Sequence, residues 1–128
     1  MNNIKTASKL IEEALNEVKT ISPDEALELS KSDNCNLIDI RDSNELIKNG
    51  KVENSLNISR GLLEFALNPD GEYIKNNLVD LNKENVLFCA AGGRSALAAK
   101  TLKEMGFKKV SHVDGGFGSM KSSGFKIT

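Results

Sequence analysis

Residues 85–105, NVLFCAAGGRSALAAKTLKEM, constrain the fold more than any other stretch of the chain. The apolar run NVLFC (85–89) meets two alanines and two glycines, and a stretch of helical composition then runs from 94 to 105, where Gly106 ends it. A strand that turns directly into a helix does not pair with its sequence neighbour as a hairpin would. It returns to the sheet by a crossover, and crossovers join parallel strands.

The rest of the chain repeats this alternation. SPDE (22–25) starts a helix, with Ser22 as N-cap, Pro23 in the first position and Glu25 closing a capping box; the helix runs to about Ser30. NLIDI (36–40) reads as a short strand, and Ser43 then caps a brief helix through Leu46 and Ile47 that Gly50 stops. SLNIS (55–59) alternates as a strand, RGLLEFAL (60–67) is helical and NPDG (68–71) is a turn. Residues 72–81 read as helix, KKVSHV (108–113) as a last strand, and DGGFG turns into a short helix near 117–123. Ahead of these, Ala7, Leu10, Ile11, Ala14, Leu15, Val18 and Ile21 recur at helical spacing, which predicts an amphipathic helix over 6–21. The expected architecture is α/β: one domain (21–128) with a mostly parallel central sheet flanked by helices, plus an N-terminal helical arm (1–20). The arm's apolar face packs on the domain or on a second copy, so both a monomer and a homodimer are consistent with it.

Several function classes are disfavoured at once. A net charge of −1 gives no footing for nucleic acid. No apolar run approaches the roughly 20 residues of a membrane span. The N-terminus MNNIKTASKLIEEALNEVK lacks the apolar core of a secretion signal, so a cytoplasmic location is expected. Cys35 and Cys89 then read as two thiols. Cys35 precedes a strand, at the edge of the sheet opposite Cys89. One histidine, His112, cannot complete a zinc quartet, so no metal is expected. His112 lies in a strand without an evident triad partner and reads as a packed or surface residue.

The basic residues are 14 lysines and 3 arginines, so the arginines are worth locating. A planar guanidinium grips an anion from two sides where an ammonium cannot. Arg41, Arg60 and Arg94 each follow an expected strand by one to five residues. In parallel sheets ligands gather at that carboxyl edge.

Cys89 ends its strand on the same edge. Ala90, Ala91, Gly92 and Gly93 let the backbone curl so that successive N–H groups point inward as an anion-binding nest, and the helix behind adds its unpaired N–H groups. A thiol at the centre of such a field ionises more readily than at its reference pKa of about 8.5. The alternative is a small buried hydrophobe beside a tight strand–helix turn.

CAAGGRS (89–95) resembles the active-site loop of the rhodanese family, Cys-x-x-Gly-x-Arg-Ser. LIDIRDSNEL (37–46), GKVENSLNIS (50–59) and HVDGGFGSMKSSGF (112–125) resemble three further family segments in the same order. Together these span about residues 20–127. Lys51, Glu53, Asn54, Ser55 and Ser59 depart from the family pattern, although Asn54 tolerates the left-handed conformation of the glycine it replaces. Met120 stands where tryptophan is usual.

The resemblance implies a sulfurtransferase without a cofactor. Cys89 would take sulfur from a donor such as thiosulfate, hold it as a persulfide among the loop N–H groups with Ser95, and pass it to cyanide, a small thiol or a thiol-bearing protein. Arg94 and Arg60 are candidates to grip the donor's anionic end, while Arg41 pairs with a carboxylate, Asp39 or Asp42, to brace the loop. Four residues separate Cys89 from Arg94, against five in the phosphatases that share this fold. A rhodanese-like module that binds a partner or senses redox state without turnover is the alternative from another class.

Overall fold

A computed structural model describes residues 2–128. Its sheet contains β1 (Lys19–Ile21), β2 (Cys35–Asp39), β3 (Leu56–Asn57), β4 (Glu84–Phe88) and β5 (Val110–Val113), in the spatial order β1-β5-β4-β2-β3. Every neighbouring pair is parallel. All five carboxyl ends therefore open on one edge, as the alternating sequence requires.

Among the described residues, seven α-helices connect and flank the strands: α1 (Ala7–Leu15), α2 (Pro23–Lys31), α3 (Ser43–Asn49), α4 (Leu63–Ala66), α5 (Glu72–Lys75), α6 (Gly93–Glu104) and α7 (Gly116–Ser122). The central strands are apolar on both faces because helices cover both. Leu87 packs with Ile38, Leu63, Ala98 and Leu102 on one face. Its neighbours Val86 and Phe88 pack with Leu37, Phe117, Met120 and Phe125 on the other. Met120 is fully buried there, so the position where the family pattern has tryptophan remains a core position.

Several expected boundaries shift. The helix expected over 6–21 stops at Leu15. The Ala14 carbonyl accepts from the N–H groups of both Glu17 and Val18, which tightens the chain. Lys19–Ile21 then pair with β5 as an edge strand. Val18 and Ile21 fit helical spacing, but the open edge of β5 offers Lys19–Ile21 a full ladder, and tertiary pairing outweighs local periodicity. Asp42, one residue ahead of the expected Ser43, is the N-cap of α3; its N–H donates to the Glu45 carboxylate. Residues 60–67 begin as a 3₁₀ turn (Arg60–Leu62) before α4. Helix within 72–81 is confined to Glu72–Lys75, and Asn77 takes a positive φ of 57°. Asn54 does adopt the left-handed conformation, at φ 68°.

Arg41 is the largest fully buried side chain, 1% exposed. Its Nε and Nη2 donate to the Asp39 carboxylate at 2.8–3.2 Å. Nη2 also donates to the Gly50 carbonyl, and the guanidinium carbon lies 3.9 Å from the centre of the Phe117 ring. This buried pair ties the end of β2 to the end of α3 and to α7. Removing one partner strands the other charge in the interior. Asp39→Ala is therefore expected to lower the urea-unfolding free energy by about 3–5 kcal/mol, and a loss below about 1 kcal/mol would contradict this bracing role.

Candidate active site

Cys89 lies one residue beyond β4, on the carboxyl edge, and is 1% exposed. Its backbone is pinned from behind by α7: the Phe117 N–H donates to the Cys89 carbonyl at 2.8 Å. That approach depends on Gly116, at φ 59°, where any Cβ would collide with the Cys89 carbonyl oxygen and with Ala90. The chain then curls through exposed Ala90 and Ala91 to Gly92. Gly92 has φ 113°, which few side chains tolerate, and its N–H points back to Cys89 Sγ at 3.1 Å. The Ser95 N–H donates to the same sulfur at 3.4 Å, and Ser95 Oγ lies 3.6 Å from it. Gly93 opens α6, and Ile11 of α1 packs so tightly over it that a Cβ would meet Ile11 Cδ1 at 2.9 Å.

These contacts set how readily the thiol ionises. Burial pushes Cys89 up. The Ser95 hydroxyl and the N–H groups of Ser95, Gly92 and Ala91 push it down and together prevail, leaving the thiol below its ordinary value. Cys35 shows what burial does without such donors, helped by the nearby Asp33 carboxylate. At the amino end of β2, on the opposite edge of the sheet, it lacks such donors, and burial drives it up to about 11.

The three arginines do not converge as free guanidinium groups; each is held by a carboxylate. Arg41 lies under Asp39 in the interior. Arg60 donates to Glu64 and to Thr101 on α6. Arg94 makes a two-pronged pair with Glu45 of α3, at 2.7 and 3.0 Å. Arg94, 40% exposed, faces solvent beside the loop. Among the described residues no three His, Cys, Asp or Glu side chains converge as metal ligands would.

His112, which the sequence marks only as a packed or surface residue, lies against the loop. It is 1% exposed on β5, which pairs with β4, and Ser95 Oγ lies 3.0 Å from its Nδ1. The visible signal was a histidine one residue from the end of a strand, but the pairing of β5 with β4 had to be known before that position meant anything.

A strand–nest–helix loop carrying a lowered thiol, on an all-parallel sheet, defines a class. The model of the rhodanese-like domain matches residues 22–123, and the chain belongs to that family. Within it, the chain is similar to a thiosulfate sulfurtransferase GlpE from Pseudomonas putida: 31% identity over 103 residues, 80% of this chain and 84% of that protein. It spans only 32% of another relative, a tRNA uridine(34) hydroxylase from Prochlorococcus marinus, at 30% identity. Among solved structures, the polysulfide-sulfur transferase homodimer of Wolinella succinogenes is 34% identical with a TM-score of 0.73, covering 92% of this chain and 83% of that one. A protein from Rhodopseudomonas palustris described as of unknown function and a possible tyrosine phosphatase is 36% identical with a TM-score of 0.88, covering 100% and 98%.

The Arg94–Glu45 pair yields a pH prediction. Arg94 holds the Glu45 carboxyl down at about 2. A carboxyl lowered on folding stabilises the fold above its unfolded pKa of about 4.3, and that contribution is lost as pH falls toward the folded value. The stability difference between wild type and Glu45→Gln should therefore be present at neutral pH and shrink as pH falls from 4 to 2. Because the pair is partly exposed, it should stay under about 1 kcal/mol. Urea unfolding across that range checks it, and a difference that grows on acidification would contradict the pairing.

Proposed function

We propose that the chain is a sulfurtransferase that carries a sulfane sulfur as a persulfide on Cys89. The observation that carries this reading is the set of donors around a buried sulfur: N–H groups from Gly92 and Ser95, with the Ser95 hydroxyl close by. Such a set favours negative charge on sulfur without a neighbouring base. In the first half-reaction the Cys89 thiolate attacks the outer sulfur of a donor such as thiosulfate. The donor's S–S bond breaks, sulfite leaves with the electron pair, and Cys89 holds the persulfide. In the second, cyanide or a thiolate, free or on a protein, attacks the outer sulfur and the Cys89 thiolate returns.

Arg94 is the first candidate for the donor's sulfonate end. It is partly exposed and already holds a carboxylate in two-pronged fashion, so an incoming anion can replace Glu45. Arg60 is the second, and would have to leave Glu64 and Thr101. Asp39 and Arg41 brace the loop from the interior, and Asp42 caps α3, which presents Glu45. Ala90, Ala91, Gly92 and Gly93 supply the curl that would surround the persulfide. The spacing of four residues between Cys89 and Arg94 favours sulfur over a phosphate ester.

After exposure to thiosulfate, mass spectrometry should find one added sulfur atom on the Cys89 peptide, absent in Cys89→Ser, and cyanide should remove it as thiocyanate. Arg94→Ala should raise KM for thiosulfate by about tenfold, the loss of one charge-assisted contact. Unmodified protein with no thiocyanate would favour a non-catalytic binding or redox-sensing module. Hydrolysis of an aryl phosphate without persulfide would favour a phosphatase.

A further inference from the structure

His112 is the chain's one histidine, it is buried, and the sulfur chemistry above makes no use of it. Both ring nitrogens are nevertheless engaged. Nδ1 lies 3.0 Å from Ser95 Oγ, and Nε2 lies 2.9 Å from Thr20 Oγ1. Thr20 is the direct cross-strand partner of His112 in the β1–β5 ladder. A chain of contacts therefore runs from exposed Thr20 through His112 and Ser95 to Cys89.

Counting hydrogens shows what this chain can do. Ser95 Oγ carries one hydrogen, which it donates to the Gly92 carbonyl at 3.2 Å; Cys89 Sγ, 3.6 Å from Oγ, becomes a second acceptor once it is a thiolate. A carbonyl and a thiolate only accept. If Nδ1 were bare it would be a third acceptor, and the hydroxyl hydrogen would be drawn to the ring. If Nδ1 carries a hydrogen, it donates to Ser95 Oγ instead. The hydroxyl is then free to turn from the Gly92 carbonyl to the sulfur as the thiolate forms. The Thr20 hydroxyl can donate to Nε2 or accept from it and so fits either case, whereas the Ser95 hydrogen, already given to the Gly92 carbonyl, favours a hydrogen on Nδ1. With the hydrogen on Nδ1, Nε2 is bare and takes a hydrogen bond from the Thr20 hydroxyl, whose oxygen still has lone pairs for water.

We propose that His112 is a positioning residue: Thr20 holds it as the neutral Nδ1–H tautomer, and it thereby aims the Ser95 hydroxyl hydrogen at Cys89. This rests on Cys89 acting as a thiolate carrier of sulfur. A neutral ring fits its surroundings. Burial lowers the imidazole pKa, with Asp114 opposing more weakly, and the groups bonded to the ring from β1 and α6 are the uncharged Thr20 and Ser95. Thr20 falls outside the 22–123 match to the family, so the outer anchor of the relay is supplied by a strand that the match does not cover.

The test combines two readouts that need no sulfur donor, so its failure is distinguishable from failure of the sulfurtransferase reading. Nitrogen-15 NMR of the wild-type imidazole should show the hydrogen on Nδ1. The pH profile of Cys89 alkylation should shift upward in Thr20→Val, which keeps the shape and removes the hydroxyl, slowing the reaction by about threefold on the rising limb below the thiol's midpoint, the equivalent of half a pKa unit. Thr20→Ser should restore the wild-type profile. In a Ser95→Ala background, Thr20→Val should cause no further slowing. A wild-type ring with its hydrogen on Nε2 would overturn the proposal, and this readout stands even if a variant fails to fold. So would a wild-type profile in Thr20→Val, or equal slowing with and without Ser95.

Discussion

The hydrogen bonds that converge on Cys89 Sγ set the terms for the rest of the structure. A sulfur only 1% exposed would ordinarily be an inert thiol, because burial disfavours the charged form. Here the N–H groups of Gly92 and Ser95 and the Ser95 hydroxyl reach it, and the thiol ionises more readily than an ordinary one. Those donors can point inward because Gly92 takes a backbone conformation closed to most side chains. They stay in place because α6 begins immediately behind them and Ile11 packs over Gly93.

The packing around the loop serves the same geometry. Gly116 lets α7 come close enough for the Phe117 N–H to hold the Cys89 carbonyl, and Phe117 in turn covers the Arg41 guanidinium. Arg41 is locked by Asp39 at the end of β2, the strand beside β4. Two layers of fixed contacts therefore stand behind one reactive atom. Rigid support of this kind is what a preorganised electrostatic site needs, since donors that had to reorient would give back much of their benefit.

Much of this was legible in the residues. The alternation of short apolar runs and helical stretches gave a parallel α/β sheet. CAAGGRS gave the strand–nest–helix turn and its thiol, because small residues and glycines leave few other options. What stayed hidden depended on distant partners. Lys19–Ile21 became a strand because the edge of β5 was open, which helical spacing of Val18 and Ile21 could not reveal. The arginines were placed at the right edge, and Arg41 was matched with a carboxylate two residues before it or one after, but the partners of Arg94 and Arg60 stayed hidden: Glu45 and Glu64 lie on helices whose facing depends on tertiary packing. His112 looked like a packed residue, and it is packed. Its links to Ser95 and Thr20 arise from strand order, which one sequence does not state.

The most direct measurement is a titration of the two thiols by their ultraviolet thiolate absorbance, with Cys89→Ser and Cys35→Ser assigning the steps. Two separated steps are expected: Cys89 ionises first, below the ordinary thiol value, and Cys35 follows near 11. A Cys89 that stays protonated until Cys35 also ionises would mean that burial prevails at the site, and that the ring of donors does not hold charge on its sulfur.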